Sequence, residues 1–255
     1  MRLVVWSLML ALVFAPTHAR AAAPYLFRGT LQRGQTLEVR DINGAVAIVP
    51  GKQLVVRATK TTVRANPDDV RIVRRSNANG MMFCVRYPGA NAATTCADGM
   101  HDRHAVRTDN DTRVDFEVTV PSGVRVRIAT VNGEVNVKSD ALVAARTVNG
   151  KIAIEAGDVT DAVSVNGAVD IRVHDAASTK PMHVSTLNGS LTITLPRTAG
   201  YRVHAAVLNG DIIAGGLTVT RPKYGPGARL DGKIGDGRRA LDLHALNGSI
   251  AIERL

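Results

Sequence analysis

Seven Asn-Gly pairs recur in one context: Asn43, Asn132, Asn149, Asn166, Asn188, Asn209 and Asn247 each follow Val, Ile or Leu and precede glycine. Apolar residues stand at the second and fourth positions after six of these pairs. They are Val46/Ile48, Val135/Val137, Ile152/Ile154, Val169/Ile171, Leu191/Ile193 and Ile250/Ile252. Asn209 departs, with Ile212, Ile213 and Ala214. The positions between are mostly polar, so the period is two and each segment reads as a β-strand with one buried face. From Asn132 the spacings are 17, 17, 22 and 21, followed by a gap of 38. Asp231-Gly232-Lys233-Ile234 reads as a degenerate copy that divides this gap into 22 and 16.

Units of 16–22 residues cannot bury an apolar face alone, but stacking them buries one continuous core. The pattern therefore predicts an all-β chain folded as a single-stranded parallel β-helix or β-solenoid, with the right-handed form favoured. Stacked corners would place asparagines above one another, where their amides form a ladder, and glycine suits a tight corner. The alternative is an antiparallel β-sandwich of hairpins, because Asn-Gly between alternating strands is also the strongest short hairpin signal. The near-constant period favours the solenoid, since stacked units must share one inward pattern.

Residues 25–120 are less regular and read as irregular first rungs, with residues 121–255 as the regular repeats. Leu54 to Val63 reads as a strand and Asn66-Pro67-Asp68-Asp69 as a turn capped by Asn66. Val70 to Arg75 and Met82 to Tyr87 would pair across the segment between them. Residues 90–111 are polar and read as a surface loop.

The repeated Val/Ile/Leu-Asn-Gly-x-Φ-x-Φ unit resembles the putative-adhesin domain family of bacterial envelope proteins. So do Val118-Thr119-Val120-Pro121-Ser122-Gly123-Val124 and the closing Gly235-Asp236-Gly237 with Leu246-Asn247-Gly248-Ser249-Ile250. The resemblance spans about residues 36 to 255 and implies a parallel β-helix-like fold. That family has no assigned function, and fold alone does not supply one.

Met1-Arg2, the apolar run Leu3 to Phe14, Pro16 and the small residues from Ala19 to Ala23 read as a secretory signal peptide. Cleavage is expected after Ala21, with Ala19 as the alternative, leaving one domain over residues 22–255. No later segment is apolar enough to cross a membrane as a helix. The expected location is the periplasm, or the cell surface and medium. Hydrophobic residues make up 45% of the chain but aromatics only 4%, so the core must be aliphatic.

Cys84 and Cys96 are the only cysteines. In an exported protein such a pair is most simply a disulfide, tethering a loop to the Met82–Tyr87 strand. His101-Asp102-Arg103-His104, with Asp109 and Asp111, fits no established zinc or calcium loop. Asp161, His183 and His204 each lie five residues before an Asn-Gly pair. In a solenoid they would stack at the ~4.8 Å strand spacing, a weak metal-binding column that a solvated face explains as simply. No metal and no cofactor are therefore assigned. Gly227 to Lys233 imitates a phosphate-binding loop but has Ile234 where Ser or Thr is needed, so it reads as part of a loop from Gly215 to Gly237.

No paired carboxylates of the glycosidase kind recur after the corners, where the residues are Ala45, Glu134, Lys151, Ala168, Ser190, Asp211 and Ser249. The sequence thus reads as a non-enzymatic, adhesin-like envelope or surface interaction module. The alternatives are a polysaccharide-acting β-helix enzyme and a non-specific polyanion-binding protein. The formal charge of +10 suggests anionic envelope glycans, lipid head groups or another envelope protein as partners. Aromatics are not interleaved with the basic residues, which argues against specific nucleic-acid recognition.

Overall fold

A computed structural model describes residues 20–89, 96, 110–176 and 178–255. The fold is all-β. In chain order the first strands are β1 (Arg20–Ala21), β2 (Tyr25–Gly29), β3 (Thr36–Arg40), β4 (Val46–Gly51), β5 (Leu54–Thr62), β6 (Arg71–Asn77) and β7 (Gly80–Arg86). Then come β8 (Arg113–Pro121), β9 (Arg125–Ala129), β10 (Val135–Arg146), β11 (Ile152–Asn166), β12 (Val169–Val173) and β13 (Met182–Asn188). The last are β14 (Leu191–Leu195), β15 (Tyr201–Asn209), β16 (Ile212–Ala214), β17 (Ala228–Ile234), β18 (Arg239–Asn247) and β19 (Ile250–Arg254). Among the described residues the one helical element is a 3-10 turn, Pro67–Asp69, where Asn66 Oδ1 accepts from the Asp68 amide at 3.2 Å.

Two parallel ladders run through a 19-stranded mixed sheet that is not closed. One runs β8, β4, β10, β11, β12, β14, β19, β16. The other runs β7, β3, β9, β10, β11, β13, β18, β15. Strands β10 and β11 are long enough to serve both, with register shifts between Ser139/Leu142 and Val143/Ala144. Antiparallel strands lie at the margins: β5 beside β8 and β2, β6 beside β7, and β17 beside β15.

None of the seven Asn-Gly pairs closes a hairpin: no two strands that flank a pair run antiparallel to one another, and where they do pair, as β9–β10, β10–β11 and β11–β12, they are parallel. The tight two-residue hairpin turn favoured by Asn-Gly needs positive φ at both residues. Ala176 is the single non-glycine with positive φ among the described residues, so the corner asparagines do not adopt it. The gap of 38 is also not two further repeats. Asp231-Gly232-Lys233-Ile234 lies on β17, which runs antiparallel to β15, and residues 228–234 are strand rather than loop. The final unit, β18 and β19, is inserted between β13–β14 and β15–β16.

The inward pattern places Val46, Ile48, Val135, Val137, Ile152, Ile154, Val169, Ile171, Leu191, Ile193, Ile250 and Ile252 in one continuous core. Burying such side chains stabilises by roughly 1.5–3 kcal/mol each, which an open parallel ladder needs in order to form. In the earlier half, Phe83 packs against Phe27 and Tyr25, and Cys84 is bonded to Cys96 with Cα atoms 5.6 Å apart.

Candidate functional site

The corners are the most constrained part of the molecule. Asn209 donates from Nδ2 to Asn247 Oδ1 (2.8 Å), Asn247 to Asn188 (2.7 Å), and Asn188 to Asn166 (2.7 Å). Asn166 continues to Asn149 (2.7 Å) and Asn149 to Asn132 (2.8 Å). Asn43 joins the column through its backbone bridge to Asn132, while its amide donates to Thr112 O at 3.2 Å. The glycines are required by close approach. A Cβ on Gly150 would lie 2.0 Å from Gly133 O, and one on Gly167 would lie 2.0 Å from Gly150 O. Inside the Asn149, Asn166 and Asn188 corners a hydroxyl two residues before Asn caps glycine carbonyls: Thr147 Oγ1 to Gly133 O (3.1 Å), Ser164 to Gly150 O (3.0 Å) and Thr186 to Gly167 O (2.9 Å).

At the later corners the ladder turns the residue before Asn outward. Leu187, Leu246 and Leu208 are 43%, 37% and 45% exposed and form one stripe. They line a groove of about 890 Å³ together with Pro222, Tyr224 and Pro226. Tyr224 is 83% exposed, and Lys223 Nζ stands 5.4 Å from its ring centroid.

Beside the stripe runs a row of alternating carboxylates and imidazoles. The registers of β11, β13, β18, β15 and β17 place Asp161, His183, Asp242, His204 and Asp231 in succession. Arg146 holds Asp161 with two bonds of 2.5 and 3.1 Å. His183 Nδ1 is 3.1 Å from Asp242, and His204 Nδ1 is 2.6 Å from Asp231. Asp161 and His183 are therefore neighbours, as the spacing implied. His204 is not next to His183, because the inserted β18 separates them by two strand intervals, about 9.6 Å. No cluster that could hold a metal occurs among the described residues. His101, Asp102, Arg103, His104 and Asp109 lie outside them. Asp111 instead clamps a turn, accepting from Thr62 Oγ1 (2.5 Å) and the amides of Ala65 (2.9 Å) and Arg64 (2.9 Å). These bonds hold its carboxyl down at about 2.

On the other ladder a shallow depression of about 400 Å³ is bordered by Glu155, Asp170 and Glu253. Each is engaged: Glu155 by Lys138 (3.4 Å) and His174 (3.3 Å), Asp170 by Lys151 (2.6 Å), and Glu253 by Thr194 Oγ1 (3.3 Å). The Lys138 ammonium pulls the Glu155 carboxyl below its ordinary range, the opposite of what a general acid needs. Asp41 behaves differently. Burial pushes it up to about 7 against the bonds it accepts, but it sits inside the core beside Tyr87, away from any substrate.

No family model matches the chain, and no curated protein matches it. Among solved structures it is similar to a putative cell adhesion protein from Clostridium sporogenes, at 12% identity and a TM-score of 0.48, covering 91% of this chain and 100% of that one. It is also similar to a putative adhesin from Bacteroides fragilis (10% identity, TM-score 0.30, 91% and 97% coverage). A putative adhesin from Parabacteroides distasonis gives 11% identity, a TM-score of 0.27, and the same two coverages.

Proposed function

We propose that the mature chain is an exported, non-enzymatic interaction module built as a β-solenoid and working at the envelope or cell surface. Successive two-strand units stacked in parallel, with shared Asn-Gly corners, support the solenoid. The apolar N-terminal run ending in small residues supports export. The observation that carries the binding role is the groove beneath Tyr224. There the ladder holds Leu187, Leu246 and Leu208 out toward solvent in a groove shared with two prolines and an exposed tyrosine. Apolar side chains fixed outward beside an aromatic ring are the ordinary composition of a recognition surface.

The test is sedimentation of purified mature protein with washed bacterial envelopes, alongside release of reducing sugar ends. Tyr224→Ala and Leu208→Ser should unfold at the wild-type denaturant midpoint yet sediment at least fivefold less. Reducing ends should stay at background. Equal sedimentation of all three proteins, or steady release of reducing ends, would contradict the proposal.

A further inference from the structure

We infer that the outer face of the β3–β9–β10–β11–β13 ladder carries a trough for an acidic polysaccharide, centred on Arg125, Arg127 and Lys180; this rests on the reading of the chain as a binding module. Along β9 the pattern alternates, so Val126 and Ile128 are buried while Arg125 and Arg127 point outward. Lys180 comes from the connection between β12 and β13, and the three cations line one depression of about 430 Å³ with Leu142 and Ala144. A second depression of about 490 Å³ shares Thr36 and Arg127 with the first and adds Arg75. The two form one trough running across the strands.

The carboxylates in this trough are already engaged. Asp161 is held by Arg146 through two bonds. Glu38, opposite Arg127 in the β3–β9 register, accepts from Arg40 Nε at 2.7 Å. His183 faces Asp242. Arg125, Arg127 and Lys180 are left without an ion pair among the described residues, although strand pairs elsewhere on the molecule match acid with base, as with Lys138 and Glu155. Outward guanidinium groups beside one another on one strand suit the carboxylate or sulfate groups of an extended glycan, which they grip bidentately.

A membrane surface fits less well. Flat bilayers are met by cations with apolar side chains beside them to insert, whereas the exposed leucines stand at the corners, away from these cations. No Phe, Tyr or Trp lines either depression, so nucleic-acid bases find no run of stacking platforms.

The experiment compares the mature protein with R125Q/R127Q/K180Q and with a charge-matched control, R57Q/R172Q/K52Q, whose substitutions lie away from the trough. Binding is measured to polygalacturonate, to heparin, to neutral dextran and to vesicles of one-third anionic lipid, over a salt series. The trough variant should bind the two acidic glycans at least tenfold more weakly while the control changes less than twofold. Wild-type binding should fall steeply with salt, as exposed charge interactions screen over ~8 Å. Equal losses in both variants, or wild-type preference for vesicles or dextran, would overturn the trough. New reducing ends from polygalacturonate would instead overturn the binding-module reading itself.

Discussion

A single methyl group is enough to test the corner. The Cβ of Ala at position 150 would sit 2.0 Å from Gly133 O, so two neighbouring units would have to move apart. Gly150→Ala should cost roughly 2–4 kcal/mol, within the range that steric strain produces. Gly215→Ala, where nothing lies within 4 Å, should change stability by less than about 0.5 kcal/mol. Urea unfolding of both checks this. The Asn-Gly column was legible in the sequence because both residues recur. The hydroxyl beneath it was visible too, at Thr130, Thr147, Ser164 and Thr186, yet it attracts no notice until the bonds to glycine carbonyls explain why it is there. Asp41 gives a second residue-scale test. Its folded pKa, about 7, lies above the ordinary carboxylate value, so the folded state binds the extra proton between these two values. Its contribution is therefore fully present below the unfolded pKa and is lost as pH rises toward and through 7. Stability should decline over that window with a slope of at most about 1.4 kcal/mol per pH unit. Asp41→Asn should flatten the profile, and an unchanged slope would show that another group is responsible.

Elements are less legible than residues. Period-two patterning located the strands after each corner, and the Asn66 cap and the β6–β7 pair fell where the local pattern put them. The spatial order of the last units was hidden, since strand spacing along the chain says nothing about which neighbour a strand will choose. What fixes the inserted unit is a buried ion pair. Arg239, the first residue of β18, meets Asp158 on β11 at 2.5 Å, with side chains 4% and 8% exposed. It also donates to Val159 O (2.6 Å) and Lys180 O (2.7 Å). Asp158 in turn accepts from the amides of Val159 (2.7 Å) and Ser178 (2.8 Å). Arg239→Met leaves a buried carboxylate unpaired and should cost about 3–5 kcal/mol, whereas Asp158→Leu/Arg239→Met should recover much of that loss. A double-mutant cycle by denaturant unfolding measures the coupling, and additive losses would deny that the pair holds β18 in place.

At the scale of the whole molecule, repetition builds two ladders whose outer faces differ. One matches acid with base. The other carries in turn an unbalanced cationic trough, an aspartate–histidine row and an apolar groove. The sequence displayed the excess positive charge but not its segregation, because the charges of one trough come from β9 and the β12–β13 connection and meet only after stacking. Parallel units stack at the asparagine corners, with the β18–β19 unit lodged between two earlier ones. Strand neighbours in a ladder lie about 4.8 Å apart, within the Cα range a disulfide accepts, whereas two intervals exceed it. Oxidative cross-linking of cysteine pairs at the exposed corner positions reads this directly. Leu187→Cys/Leu246→Cys should form a bond in high yield and Leu187→Cys/Leu208→Cys should not, with Cys84–Cys96 intact in both. Efficient bonding of 187 to 208 and none of 187 to 246 would contradict the inserted order and with it the architecture on which the groove depends.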